Sequence, residues 1–127
     1  MLEQVNEFKP KIISLSDSDA YKRFVDQNTL KDLKVINGKE SYDEILNFKT
    51  DLVVAAISGA AGLMPVVSAL NCGISVALAN KESLVCSGSL VTSIAKSNNV
   101  QILPVDSEHN AIYQVLDSNN FSKIPNK

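Results

Sequence analysis

The chain has 127 residues, 45% of them hydrophobic and 20% charged, with a formal net charge of −2. That is one domain's worth of a soluble globular chain, long enough to bury a sizeable core. The slightly acidic balance speaks against non-specific nucleic-acid binding, and with no apolar run near the length of a membrane span and no basic-then-apolar leader, a cytoplasmic protein with neither nucleic-acid nor membrane partner is expected.

Residues 11–15 (KIISL) read as a short strand, and 16–19 (SDSD) as a capping cluster opening a helix that runs to about Gln27. Residues 33–36 form another short strand, closed by an Asn37-Gly38 turn. Residues 41–48 pattern as a short amphipathic helix with Ile45, Leu46 and Phe48 inward. The pattern then changes character. Residues 52–57 (LVVAAI) are continuously apolar, as expected for a strand covered on both faces in a parallel sheet. Residues 74–79 (ISVALA) and 100–105 (VQILPV) are two more strands, with helices over about 63–72 and 82–97 between them. Strand, helix, strand, helix, strand is the rhythm of a parallel sheet with right-handed crossovers. Cys72 beside a helix end and Cys86 on an apolar helical face read as reduced, buried thiols, too few and isolated for a disulfide framework or a zinc site. Residues 117–127 are polar and expected to be poorly ordered.

The most informative segment is 104–114, PVDSEHNAIYQ, where an apolar strand gives way to a helical pattern. Residues two apart share a face in extended chain but point to nearly opposite sides of a helix. Asp106 and Glu108 therefore converge on one cation only from the last extended stretch or the turn before the helix. Paired carboxylates with room for water and substrate oxygens suit Mg2+ or Mn2+ rather than zinc. The plainer alternative is that Asp106 or Ser107 is an ordinary helix N-cap, with Glu108 and His109 in the first turn. The junction alone leaves both open.

Ligands of an open parallel sheet bind outside the carboxyl ends of its strands, and right-handed crossovers put three such ends on one edge. The first carries 58–63 (SGAAGL), small residues that let a ligand lie against backbone or simply form a tight turn. The second carries 78–83 (LANKES), where Asn80 can cap the next helix and favour an anion. Lys81 there either meets a phosphate or substrate hydroxyl or is a solvated charge. The third carries the DSEHN run, 106–110. His109 by itself reads as structural or exposed, and Met64 and Tyr113 as packing residues.

AAISGAAGL (55–63), LANKES and PVDSEHNAI, in this order and spacing, closely resemble the 1-deoxy-D-xylulose 5-phosphate reductoisomerase family. The resemblance covers nearly the whole chain, including the opening QVNEFKPK. It implies an α/β fold: a Rossmann-like parallel sheet with flanking helices, incomplete at both ends. On it, residues 1–103 form the later part of an NADPH-binding domain and 104–127 the beginning of a metal- and substrate-binding catalytic domain. It also implies the reaction. 1-Deoxy-D-xylulose 5-phosphate is isomerised to a branched aldehyde phosphate, which NADPH reduces to 2-C-methyl-D-erythritol 4-phosphate for isoprenoid synthesis. By the resemblance, Asp106 and Glu108 are metal ligands for Mg2+ or Mn2+, Glu108 also touching substrate. Lys81 and Glu108 are catalytic, Lys81 and Ser107 substrate-binding, and Asn80 and Glu82 cofactor-binding. A small phosphosugar substrate and, at full length, a homodimer follow likewise.

The family's glycine-rich phosphate turn and its basic cofactor-selecting segment belong before Met1. Its third carboxylate ligand, substrate-phosphate site, mobile lid and later histidine belong after Gln114. Two readings of different classes result: a piece of the reductoisomerase, inactive by itself, or a free-standing non-catalytic Rossmann-like module or remnant with residual metal or nucleotide affinity. A generic NAD(P) dehydrogenase has no reason to keep LANKES beside a DSE triplet.

Overall fold

In the computed structural model, which describes residues 1–38 and 42–115, every run read as a strand forms one, four of them shortened and the second shifted by one residue to Lys34–Asn37. The chain divides into two units, residues 1–49 and 50–127. Among the described residues, no helix is long and apolar enough to cross a membrane.

The first unit opens with a helix that the sequence reading did not anticipate, α1 (Leu2–Phe8), whose buried residue is Val5. It stops at Lys9, which takes a left-handed φ of 45° and returns its N–H to the Val5 carbonyl, one residue before Pro10. Strands β1 (Ile12–Leu15) and β2 (Lys34–Asn37) pair in parallel, Ile13 opposite Val35. Between them runs α2 (Ser18–Gln27), started by Asp17, whose carboxylate accepts the Ala20 N–H at 2.6 Å. Phe24 anchors this helix in the core. The short α3 (Tyr42–Leu46) follows, with Ile45, Leu46 and Phe48 half-buried as expected.

The second unit holds β3 (Leu52–Ala55), β4 (Ser75–Leu78) and β5 (Ile102–Pro104), parallel and in that spatial order. A 3-10 turn (Ala60–Gly62) and α4 (Leu63–Asn71) join β3 to β4; α5 (Lys81–Ser97) joins β4 to β5; α6 (Ser107–Val115) follows β5. Pro65 is tolerated because it lies in the first turn of α4, where the missing N–H would have no helical acceptor. Both crossover helices close in the same way. Past α4, Gly73 takes φ 73°, Ile74 N–H reaches the Ala69 carbonyl at 3.0 Å and Gly73 N–H the Leu70 carbonyl at 3.1 Å. Past α5, Asn99 takes φ 54°, with Val100 N–H on the Ala95 carbonyl at 3.0 Å and Asn99 N–H on the Lys96 carbonyl at 3.2 Å. These paired bonds satisfy the last carbonyls and turn the chain directly into the next strand. Leu70, Val66, Val76 and Val91 form the fully buried centre, each side chain stabilising the fold by about 1.5–3 kcal/mol. Pro104, with no N–H, is accommodated because β5 pairs on one side only in this sheet: Val105 N–H, not that of residue 104, bonds the Leu78 carbonyl at 2.9 Å.

Several expectations are corrected. The apolar run at β3 is covered on one face only: Leu52 and Val54, which share a face because alternate strand residues point together, are 44% and 66% exposed. Cys72 and Cys86 are free and exposed, not buried. Cys72 is the C-cap of α4, and Cys86 follows the exposed Val85 on the outer side of α5, beside a kink at Ser87 (φ −145°, ψ 28°). Met64 is exposed because the core-facing stripe of α4 is Val66, Ala69 and Leu70, and residue 64 falls off it. Residues 117–127 lie outside the described residues.

Candidate functional site

Because β3, β4 and β5 are parallel, the three polar junctions after them open on one edge of the sheet. The middle junction is built around Asn80, which is 2% exposed and takes extended backbone as N-cap of α5 (φ −111°, ψ 100°). Its Oδ1 accepts the Ser83 N–H at 2.9 Å and also the Ser83 hydroxyl. A backbone N–H can only donate, so this bond fixes which end of the amide faces the helix. The Nδ2 then points the other way, donating to the Ile57 carbonyl at 2.7 Å, the Gly59 carbonyl at 3.1 Å and Glu82 Oε2 at 3.0 Å. Asn80 thus ties the loop after β3 to the start of α5. Gly62 completes the arrangement: a Cβ there would lie 2.3 Å from the Ile57 carbonyl oxygen and 2.9 Å from Asn80 Nδ2. Within 58–63 it is Gly62 that makes room for the buried amide.

At the third junction Asp106 is the N-cap of α6. Its Oδ1 accepts the His109 N–H at 3.0 Å and pairs with His109 Nδ1 at 2.9 Å, and its side chain is 9% exposed. The capping reading is therefore right for one oxygen. Among the described residues, no hydrogen bond falls on the other, Oδ2. The cap starts the helix at Ser107, so Glu108 lies in the first helical turn rather than in extended chain. The expectation that both carboxylates stand in extended chain or in the turn before the helix is met by Asp106 and not by Glu108. Ser107 donates its hydroxyl to Glu108 Oε2 at 2.9 Å. Asn110 Nδ2 donates to the Pro104 carbonyl at 2.6 Å, fastening α6 back to the strand.

Electrostatics links the second and third junctions. The His109 backbone N–H holds the Asp106 carboxyl below its ordinary value, against partial burial, with the charge on His109 and that of Lys81 adding to the effect. Glu108 is lowered first by its own backbone N–H at the helix start, then by the Ser107 hydroxyl and by Lys81, against the like charge of Asp106. One lysine thus acts on both carboxylates, and Asp106 acts on Glu108. Beside them a cleft of about 370 Å³ opens between α5, β5 and α6. Asn80, Lys81, Asp106 and His109 line its polar part, and Leu84, Ile102, Ile112 and Tyr113 its apolar part.

A profile of the family described as 1-deoxy-D-xylulose 5-phosphate reductoisomerase matches residues 1–88. The chain belongs to this family. The enzyme of that name from Caldanaerobacter subterraneus subsp. tengcongensis is 40% identical over 124 residues, which is 98% of this chain and 32% of the relative. That of Clostridium acetobutylicum is 44% identical over 127 aligned residues, 98% of this chain and 33% of the relative. Among solved structures, the Zymomonas mobilis reductoisomerase in complex with NADPH superposes with a TM-score of 0.86 at 32% identity, over 95% of this chain and 32% of that one. A reductoisomerase in complex with NADPH, fosmidomycin and magnesium superposes with a TM-score of 0.85 at 44% identity, over 94% of this chain and 30% of that one. The chain spans about a third of the length of the curated reductoisomerases it matches. The Rossmann-like α/β expectation agrees with these structures and with the parallel sheets observed here.

Of the residues singled out from sequence, the structure puts Asn80, Lys81 and Asp106 on one cleft, whose lining does not include Glu108, and joins Ser107 to Glu108 and Asn80 to Glu82. Ser83, 1% exposed, and the 57–62 loop were not singled out as partners of Asn80. Their signal was the N-x-x-S spacing of a cap and a glycine wherever the chain must pass close by. Among the described residues, no group of three or more His, Cys, Asp or Glu stands ready to hold a metal ion.

Proposed function

We propose that this chain is part of an NADPH-dependent reductoisomerase that converts 1-deoxy-D-xylulose 5-phosphate to 2-C-methyl-D-erythritol 4-phosphate with a divalent metal ion. The observation that carries the reading is the cleft at the sheet's carboxyl edge, where Asn80, Lys81, Asp106 and His109 come together from two different junctions. Family membership supplies the chemistry that such an edge serves.

Asp106, through the oxygen that does not cap α6, and Glu108 would hold Mg2+ or Mn2+, ions that favour carboxylate oxygens. Bound there, the ion supplies electrophilic polarisation of the substrate's oxygens. Every other task falls to the chain's own groups. Lys81 donates to a hydroxyl or phosphate oxygen of the phosphosugar and needs no altered basicity to do so. The Ser107 hydroxyl, which donates to Glu108 at 2.9 Å, would donate to a substrate oxygen. The start of α5, with Asn80 and Glu82, serves the NADPH side, where the protein's work is to orient the hydride donor. In this reading residues 1–103 complete the cofactor domain and 104–127 begin the catalytic domain; the exposed Ile112, Tyr113 and Val115 on α6 support a helix that packs further. A homodimer and a cytoplasmic location belong to the same proposal.

The test starts from the coding frame on either side of this span and uses the complete natural polypeptide. Metal-dependent NADPH oxidation with 1-deoxy-D-xylulose 5-phosphate and Mn2+ is expected from it, and none from residues 1–127 by themselves. A complete polypeptide that oxidises no NADPH overturns the reading, and robust turnover by residues 1–127 would show the cofactor site to be misplaced.

A further inference from the structure

The carboxylates of the third junction ride on a short turn, and α6 has no buried residue to hold it against the sheet. Packing therefore does not fix the direction in which this helix leaves β5; hydrogen bonds do. Val105 N–H reaches the Leu78 carbonyl at 2.9 Å and Asp106 N–H the same oxygen at 3.3 Å, which fastens Asp106 to the end of β4. Alternate residues of a paired strand turn their backbone groups to opposite sides, so residues 101 and 105 face β4 while Pro104 faces the open side. Pro104 brings only a carbonyl there, and Asn110 Nδ2 donates to it at 2.6 Å. The amide oxygen of Asn110 accepts from Gln114 Nε2 one turn further along α6, which leaves the donors turned toward the strand. The side chains of Asp106, Ser107 and Glu108 bond within the turn itself. Among the described residues, it is Asn110 that supplies the side-chain bond returning from α6 to β5.

We infer that Asn110 is a positioning residue for the carboxylates of the divalent ion: its bond to the Pro104 carbonyl sets the direction of α6, and so where Glu108 stands relative to Asp106 and Lys81. This rests on the metal reading of the proposed function and deepens it. Asp106 is tied to the sheet through its own N–H, whereas Glu108 is a helical residue and moves with α6. Two ligands carried by different elements keep one separation only if the angle between those elements is fixed. Asn110 spans that angle, as groups behind a metal ligand commonly do.

Asn110→Ala and Asn110→Asp both remove the N–H donors. Asn110→Asp changes a single group and adds a negative charge, which by itself would tighten the binding of a cation; a lost direction weakens it. In the complete natural polypeptide, without substrate or NADPH, Mn2+ titration followed by electron paramagnetic resonance should show binding about tenfold weaker in Asn110→Ala, the lower end for losing a group that supports a ligand. Binding should weaken in Asn110→Asp as well. NADPH affinity measured without metal should stay unchanged, and so should amide protection at His109, which reports the Asp106 cap. Binding as tight as in the unsubstituted polypeptide, or tighter, in either variant overturns the inference. A parallel loss of NADPH affinity also does so, since it marks general damage, and so does lost protection at His109, which would assign the effect to the cap. If Asn110→Ala does not fold, Asn110→Asp decides by itself. If the unsubstituted polypeptide binds no Mn2+, the metal reading fails and the inference falls with it.

Discussion

Two helix starts on the same sheet edge, at Asn80 and at Asp106, use the same local device for opposite ends. Each residue follows a parallel strand and caps the next helix by accepting the N–H three residues on. Asn80 is neutral, buried and fully bonded, and its remaining donors reach back to a neighbouring loop. Asp106 is charged, commits one oxygen to its cap and leaves the other without a hydrogen bond among the described residues. A buried neutral amide can be satisfied completely by backbone, so it serves architecture. A carboxylate at a cleft, with a lysine's charge beside it, retains capacity for a cation. The comparison teaches that capping and ligation are not competing readings when the cap has two oxygens.

The largest expected effect breaks the comparison on the Asp106 side. In the complete natural polypeptide, Asp106→Ala should cut metal-dependent NADPH oxidation by more than about a hundredfold, the upper end for losing a ligand's own hydrogen-bond partner. Asp106→Asn, as good a cap as aspartate, should cut turnover almost as far while leaving the circular dichroism of the protein unchanged. Retained turnover in both variants would end the ligand role. On the other side, Asn80→Ala should leave turnover secondary to a loss of stability of about 2–3 kcal/mol in urea denaturation, because the Ser83 N–H and two loop carbonyls lose their partner inside the protein.

The smallest effect is in pH. Asp106 and Glu108 both have folded values lowered by partners around the start of α6. Their stabilisation of that start is complete above the ordinary carboxylate range and is lost as pH falls through the lowered values. Amide protection at His109 should therefore decline between about pH 5 and pH 2. In Asp106→Asn the share due to residue 106 should not titrate, and an unchanged pH profile there would assign the effect to Glu108.

Most elements were legible because period and punctuation agree in them. The alternation of apolar runs with capped helical stretches from 52 to 105 admitted little else, and Gly73 and Asn99 stand where the two crossover helices end. The opening helix was missed because it has one buried residue, Val5, too little for a periodic signal. Coverage of β3 was overestimated because an apolar run says that a face can be buried, not that this span supplies the neighbour. Cys86 and Met64 were misplaced because a kink at Ser87 and the narrow stripe of α4 set which side faces inward, and neither can be read from composition.

The order of residues by itself determined the strand–helix succession, a capping cluster over 16–19, a capping Asn80 and the family, since these follow from local backbone preferences and short spacings. Only the folded chain decided which atoms those residues have left to use. Burial and hydrogen bonding are properties of groups brought together from distant positions: Asn80 meets Ile57 across 23 residues, and Lys81 acts on Asp106 from the start of a different helix.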